Sequence, residues 1–298
     1  MTRKQRSWLG VAFLYLCGLA LMLYILGPFL WVLSASFQME TELFKQPPNW
    51  IPARPTLGNY LYVFTGEIPQ AYTERGLLRS PITQEARLLP AGLVNSLVIA
   101  LGVTAANLLL GALAAYTFAR ERFRGRDQVY LFILGSRLLP PIAVAIPIYM
   151  IVNELNLLDT KRALLLLHGA FTLPFTIWVL TTYFQNLPRD IEEAALVDGC
   201  TRFAALRHIV LPVAAPGLVA VGAFAFLFSY SEFPFALFTT QTINAKTIPV
   251  LISAVANNPD ASYTLIAVGV MISILPPLLL ALLLRNVLTT GLSSLLGR

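Results

Sequence analysis

The residues with the most chemistry in this 298-residue chain lie between positions 185 and 212, where Asp190, Glu192, Glu193, Asp198 and Arg202 cluster around Gly199 between two long apolar runs. Carboxylates and an arginine so spaced suit helix capping and charge pairing with a partner. Pro188 and Asp190 precede a helix-forming run, with Asp190 placed as N-cap and Glu193 three residues later, an acidic variant of the capping box. Gly199 ends that helix, because glycine tolerates the left-handed turn. Thr201 caps a second helical turn in which Phe203, Leu206 and Val210 form one apolar face, and Pro212 starts the next apolar helix. Such an element fits either a socket on a partner protein or the headgroup layer of a membrane, where Glu193 is only a cap.

Two further ionisable residues stand out. Arg137 lies inside an apolar run, where an arginine costs about 2.5–3.5 kcal/mol at the centre of a spanning helix, so it must face protein or a water-filled path. It either satisfies carbonyls freed by Pro140, Pro141 and Pro147, or an acidic neighbour, and locks helix packing, or it lines a solute path. Glu232 sits among Phe224, Phe226, Phe228, Tyr230, Phe233, Phe235 and Phe238 and needs a partner or water. No catalytic constellation emerges: His168 and His208 fall on different parts of the chain, with no HExxH, GxSxG or phosphate-binding glycine loop. An intramembrane hydrolase would need a nucleophile and base facing each other, and no spaced pair suggests one. The chain is therefore expected to bind neither ATP nor metal and to be no enzyme.

The elements that position these residues are membrane helices. The chain is 57% hydrophobic and 12% charged, against about 25% charged in soluble domains, and its mean hydropathy is +0.70. Its net charge of +6 comes from basic residues at the ends of apolar runs, without the aromatic-interleaved basic stripe of a nucleic-acid surface. Cys17 and Cys200, far apart in kind of segment, read as free thiols. With roughly 20 apolar residues needed to span a bilayer, six runs qualify, at about 8–34, 93–118, 129–152, 163–183, 213–235 and 265–284. The first is a retained helix, not a cleaved signal. Arg3, Lys4 and Arg6, then Arg120, Arg122, Arg124 and Arg126, then Arg189, Arg202 and Arg207 place three segments on the cytoplasmic side, with Arg285 and Arg298 returning there. Arg75, Arg79, Arg87, Lys161 and Arg162 fall outside and weaken the bias. The expected fold is all-α, a single domain over 1–298: a polytopic membrane protein with six transmembrane helices, both termini cytoplasmic, an extracytoplasmic loop at 38–90 and a cytoplasmic loop at 185–212.

The spacing of Glu193, Ala194, Ala195 and Gly199, with Ile209, Leu211 and Pro212 following, closely resembles the EAA loop of ABC importer permeases. The resemblance runs along nearly the whole chain. Thr56, Asn59 and Tyr60, then Asn95 and Ser96, then Tyr116, Phe118, Ala119 and Arg120 are similar to segments of the carbohydrate uptake type. So are Arg137, Leu139, Pro140, Pro147 and Tyr149, then Leu173, Pro174 and Phe175, then Glu232 and Phe233, and Gly291 with Leu292. The shared order matches the maltose, trehalose and glycerol-phosphate group. This resemblance implies the type I importer permease fold in the inner membrane of a prokaryote, as a multi-pass subunit. It implies a second permease subunit, two ATPase subunits that bind the ATP and Mg, an extracytoplasmic solute-binding protein, and import of a sugar or glycerol phosphate. It also implies that the loop docks in an ATPase cleft, where Glu193 meets an arginine, with Asp190, Glu192, Ala194, Ala195, Asp198, Gly199, Arg202, Phe203, Leu206, Ile209, Leu211 and Pro212 shaping the contact. Path candidates are Arg137, Tyr230, Glu232, Phe233 and Asn95. The rival reading is an ion-gradient-driven secondary transporter, which would carry paired acidic residues or broken helices at mid-membrane. The chain departs from the group in an extended stretch between Tyr60 and Asn95, which includes Gly66, Glu67 and Pro69, and in its tail from Gly291 to Arg298.

Overall fold

A computed structural model describes residues 8–67, 83–257 and 262–295. Arg3, Lys4, Arg6, Pro69, Arg75, Arg79 and Arg298 lie outside them. Among the described residues the secondary structure is helical throughout, as expected where a backbone must satisfy its own polar groups in hydrocarbon. The helices are α1 (Trp8–Ser36), α2 (Glu40–Leu43), α3 (Gly58–Thr65), α4 (Thr83–Ala86), α5 (Leu89–Arg120), α6 (Arg126–Ser136), α7 (Ala145–Glu154) and α8 (Lys161–Gln185). There follow α9 (Asp190–Val197), α10 (Arg202–Ala205), a π-helical turn (Leu206–Val210), α11 (Leu211–Val213), α12 (Ala215–Tyr230), α13 (Pro234–Thr239), α14 (Ile248–Ala256) and α15 (Tyr263–Leu295). The chain divides into two compact units, Met1–Leu89 with Ile252–Ile272, and Pro90–Leu251 with Ser273–Arg298.

In the first unit α1 is apolar all round, and none of its most apolar stretch is buried, the pattern of a helix whose surroundings are themselves apolar. The chain after it is braced by polar side chains. Asn59, buried, donates to the carbonyls of Ser36 at 2.9 Å and Gln38 at 2.8 Å. Tyr60 Oη lies 2.8 Å from Ser36 Oγ, and Thr56 Oγ1 accepts from the amide of Gly58. These three residues therefore fasten α3 to the end of α1. Glu40 accepts from the amide of Tyr263 at 3.0 Å and from the Ser262 hydroxyl, giving α15 its start.

In the second unit α5, α8 and α12 make the core. Ala112, Ala115, Tyr116 and Ala119 of α5 meet Leu180 and Phe184 of α8, with Leu206, Val210, Ala214 and Val221. A second cluster joins Ile99, Val103, Leu164, Ala236 and Val250. Where hydrocarbon gives helices no reason to associate, close backbone approach and buried hydrogen bonds hold them. Asn107 donates to Thr172 Oγ1 at 2.5 Å between α5 and α8. A side chain at Gly217 would meet the Tyr183 ring at 2.6 Å, so α12 sits against α8 as only glycine allows.

Among the described residues four helices are long and apolar enough to cross a membrane, or up to five when the bent pair Arg202–Val213 and Ala215–Tyr230 counts as one span. Two expectations change. The run at 129–152 is not one helix: α6 ends at Ser136 and α7 begins at Ala145. Pro140 and Pro141 offer no N–H for a helical ladder, and proline disfavours the helical conformation of the residue before it. Nor does Pro212 start the fifth run, since it lies in α11 before a 79° bend. Helix α12 starts at Ala215 with Pro216 in its first turn, where the missing N–H costs nothing.

Candidate functional site

The charged segment is a helix clamped at one end and capped at the other. Asp190 is the first residue of α9, with Arg189 in the capping place and no side-chain cap. Arg189 already has helical backbone angles, and its carbonyl accepts from the amides of both Glu192 and Glu193 at 2.9 Å. The helix thus begins one residue earlier than a capping box at Asp190 requires. Asp190, Glu192 and Glu193 then fill its first turn, where negative charge complements the helix dipole.

Burial separates the two glutamates. Glu192 is buried at 8% exposure and Glu193 is exposed. Glu192 Oε2 lies 2.9 Å from Arg120 Nε, and its Oε1 accepts from the Tyr116 hydroxyl. Arg120 Nη2 also donates to the Leu187 carbonyl at 3.2 Å. Thus the end of α5 grips the start of α9 through a buried ion pair. The four-residue turn of a helix puts Glu192 inward with Ala195, and leaves Glu193, Ala194 and Val197 outward.

Gly199, at φ +90°, is in the left-handed region. The amide of Cys200 donates to the Ala195 carbonyl at 3.0 Å and that of Gly199 to the Leu196 carbonyl at 3.1 Å, the paired bonds of a Schellman cap. Thr201 Oγ1 accepts from the amide of Ala204 at 3.2 Å and opens α10. The expected apolar face is altered. Leu206 and Val210 are buried with Ala205, but Phe203 is 64% exposed. The π-helical turn from Leu206 to Val210 widens the repeat to five residues, so Ala205 and Val210 share the inward side. Phe203 instead borders an apolar groove of about 490 Å³ lined by Leu108, Leu113 and Leu211. A smaller cleft of about 150 Å³ is lined by Arg120, Arg189, Glu193 and Arg202. Arg202 pairs with Glu121. Ile209 is half-buried, Asp198 exposed, and Pro212 exposed.

The path candidates fare differently. Asn95 is buried and donates to the carbonyls of Ile243 and Lys246 at 2.7 and 3.0 Å. Tyr230 donates to the Ser273 carbonyl at 2.9 Å and stacks on Phe226. Phe233 packs on the second cluster. Glu232 Oε1 accepts from the amide of Phe235 at 2.7 Å, and its Oε2 lies 2.9 Å from His168 Nε2. His168 Nδ1 is 3.0 Å from Ser229 Oγ. A serine, histidine and glutamate therefore do meet, which no spacing in the sequence signals, since His168 stands 61 residues from Ser229. Ser229 and His168 are 3% and 0% exposed, so the hydroxyl faces neighbours and cannot meet a substrate. The string instead fastens α8 to the corner between α12 and α13. Arg137 remains apart, with its guanidinium carbon 4.8, 5.0 and 5.8 Å from the ring centres of Phe228, Phe175 and Phe171.

A staple on another side of this unit was not foreseen. Asp159, at φ 56°, accepts from the amides of Gln241 and Thr242 at 2.9 Å and from the Thr242 hydroxyl, while its own amide donates to the Thr239 carbonyl. Burial raises its pKa, but the bonds from Thr242 and Gln241 and the charge of Lys246 outweigh that and hold it below the usual carboxylate value. A depressed carboxylate contributes stability above its unfolded pKa and loses it as pH falls through the lowered folded value. The amides of Gln241 and Thr242 should accordingly stay protected from hydrogen exchange at neutral pH and open only in acid below the ordinary aspartate range. Asp159→Asn should open them at every pH.

Residues 107–294 match the family of binding-protein-dependent transport system inner membrane components. The chain is 31% identical over 283 residues to the trehalose/maltose transport system permease protein of Thermococcus litoralis, covering 94% of this chain and 95% of that one. It is 30% identical over 269 residues to the sulfoquinovosyl glycerol transport system permease protein of Agrobacterium fabrum, covering 90% and 87%. In fold it is similar to a chain of a bacterial ABC transporter that imports the acidic polysaccharide alginate, with TM-score 0.74 at 18% identity over 96% of this chain and 98% of the other.

Proposed function

Because the chain belongs to the family of binding-protein-dependent transport system inner membrane components, we propose that it is the permease subunit of an ATP-driven importer for a sugar or sugar derivative. Six spans carry it across a prokaryotic inner membrane, with α6 and α7 together making the third and both termini in the cytoplasm. A second permease completes the path. Two ATPase subunits bind ATP and Mg below it, and an extracytoplasmic binding protein delivers the solute. The observation that carries this reading is the division between Glu192 and Glu193. One carboxylate is spent on anchoring α9 to α5, while the next faces outward on an element clamped at its start and capped at its end. A helix that merely floats in headgroups has no need of a buried ion pair at its root. ATP-driven closure of the ATPases would move α9, and the Arg120 to Glu192 clamp would hand that motion to α5.

The sugar reading is supported by relatives that import trehalose, maltose or sulfoquinovosyl glycerol. The test is reconstitution of the chain with its second permease, ATPase and binding protein in proteoliposomes. Sugar-stimulated ATP hydrolysis coupled to uptake is the expected result. Uptake by the chain alone, driven by a proton or sodium gradient without ATP, would establish the secondary transporter instead.

A further inference from the structure

Among the described residues Arg137, unlike Asn95, Tyr230 and Glu232, has no hydrogen-bond or ion-pair partner for its polar side-chain atoms. It leaves the C-terminal end of α6, where the helix breaks before Pro140 and Pro141, and irregular backbone within an apolar span is tolerated where it is covered by protein or lines a cavity. The guanidinium stands among Phe171 and Phe175 of α8 and Phe228 of α12. These rings are themselves held: Phe175 meets Phe228 edge-on at 5.1 Å and Phe224 at 6.0 Å. The rings attract the cation but offer no oxygen to its donors. Among the described residues no carboxylate lies within ion-pairing distance of the Arg137 guanidinium and no carbonyl accepts from it. Glu232 is committed to His168 and to the first amides of α13. The freed-carbonyl role expected for Arg137 is thus not the one it plays.

A planar fork of donors, fixed in position by aromatic faces and left without its counter-charge, is built for a two-oxygen anion. Arg137 is only half-buried, so its fork is not sealed within this chain. Resting on the importer reading above, we infer that Arg137, Phe171, Phe175 and Phe228 form a subsite for the carboxylate, sulfonate or phosphate of an anionic glycoside. The arginine pairs with the oxyanion, while the phenyl faces lie against the C–H face of the sugar ring.

The experiment uses the complete importer with its own binding protein in proteoliposomes. Uptake is measured for matched glycosides: uronic-acid, sulfonated and phosphorylated members beside their neutral counterparts. An anionic member should be imported in preference to its neutral partner, and Arg137→Gln should reduce that uptake at least tenfold, about 1.4 kcal/mol. Arg137→Lys keeps charge but loses the fork and should raise KM for the same member, so a glutamine variant that fails to insert leaves the test intact. Phe175→Leu should weaken anionic uptake less than either. If neutral sugars alone are imported, the subsite is overturned while the importer stands. If no sugar is imported with ATP, the importer reading fails and takes the subsite with it. If Arg137→Gln or Arg137→Lys no longer co-purifies with the second permease, the counter-charge is an acidic residue of that subunit, and the subsite is again overturned.

Discussion

Glu193→Ala and Gly199→Val should each yield a chain that inserts and assembles, hydrolyses ATP through its partners, and imports at least about tenfold less solute per ATP. The two substitutions reach this result by different physics. Glu193 is exposed, and among the described residues its side chain has no hydrogen-bond or ion-pair partner, so truncating it should leave the fold intact. On the proposed reading its role is played out against an ATPase subunit. Truncating one member of a desolvated charge pair across an interface strands the other and costs about 2–5 kcal/mol, which is more than a factor of ten in docking. Gly199 acts through geometry. Its φ of +90° is a region that a β-branched side chain resists, although nothing lies within 4 Å of an added Cβ. The cost is therefore backbone strain and not a clash, and it falls on the Schellman bonds that aim α9 relative to α10. Uptake and ATP hydrolysis measured in the same proteoliposomes decide the matter. Unchanged sugar-stimulated ATPase activity with unchanged uptake in Glu193→Ala would remove the exposed carboxylate from the coupling step.

Local signals in this sequence were read well where the physics is local. Gly199 and Thr201 each cap what their residue types allow within a few positions, and long apolar stretches became the long helices α1, α5, α8 and α15. Two departures have separate causes. A helical period puts Phe203 on one face with Leu206 and Val210, yet those two are buried with Ala205 while Phe203 stays exposed at the edge of the groove. Apolar length alone makes the run at 129–152 one helix, yet Pro140 and Pro141 suffice to divide it. The site itself was only partly legible. That Glu192 rather than Glu193 turns inward depends on which face of a short helix meets Tyr116 and Arg120, some 72 residues away from Glu192 in the case of Arg120. The string of Ser229, His168 and Glu232 and the staple at Asp159 likewise join distant segments. One sequence carries no sign of such pairings until the helices are packed. Glu232 and Asn95 show what a polar residue in a helical membrane chain needs: Glu232 takes the first amides of α13 and His168, and Asn95 takes the carbonyls of Ile243 and Lys246.

The larger loss should come from breaking the clamp at the root of α9. Glu192→Ala removes the acceptor for the Tyr116 hydroxyl and leaves the Arg120 side chain, 5% exposed, with an uncompensated charge. Removing one partner of a buried pair costs about 3–5 kcal/mol, a large fraction of the roughly 5–15 kcal/mol that holds an ordinary domain together. Arg120→Ala should cost as much, since it strands the carboxylate instead. In detergent both variants should unfold at markedly lower temperature than the parent, and limited proteolysis should cut first between residues 185 and 212. Replacing both members, as in Arg120→Met with Glu192→Leu, removes two desolvated charges together and should restore most of the stability, because apolar side chains often substitute for a buried ion pair without loss. Folding and transmission then come apart. An ion pair with three directed hydrogen bonds holds α9 at a set angle to α5, whereas two apolar side chains in contact let the short helix roll. The double variant should therefore fold, assemble and bind its ATPase, yet pass on less of the stroke, with uptake falling further than stability. Were the double variant to transport normally, the clamp would be a matter of stability alone, and the path of the stroke would have to run through the core contacts of Leu206 and Val210 with α5 and α8.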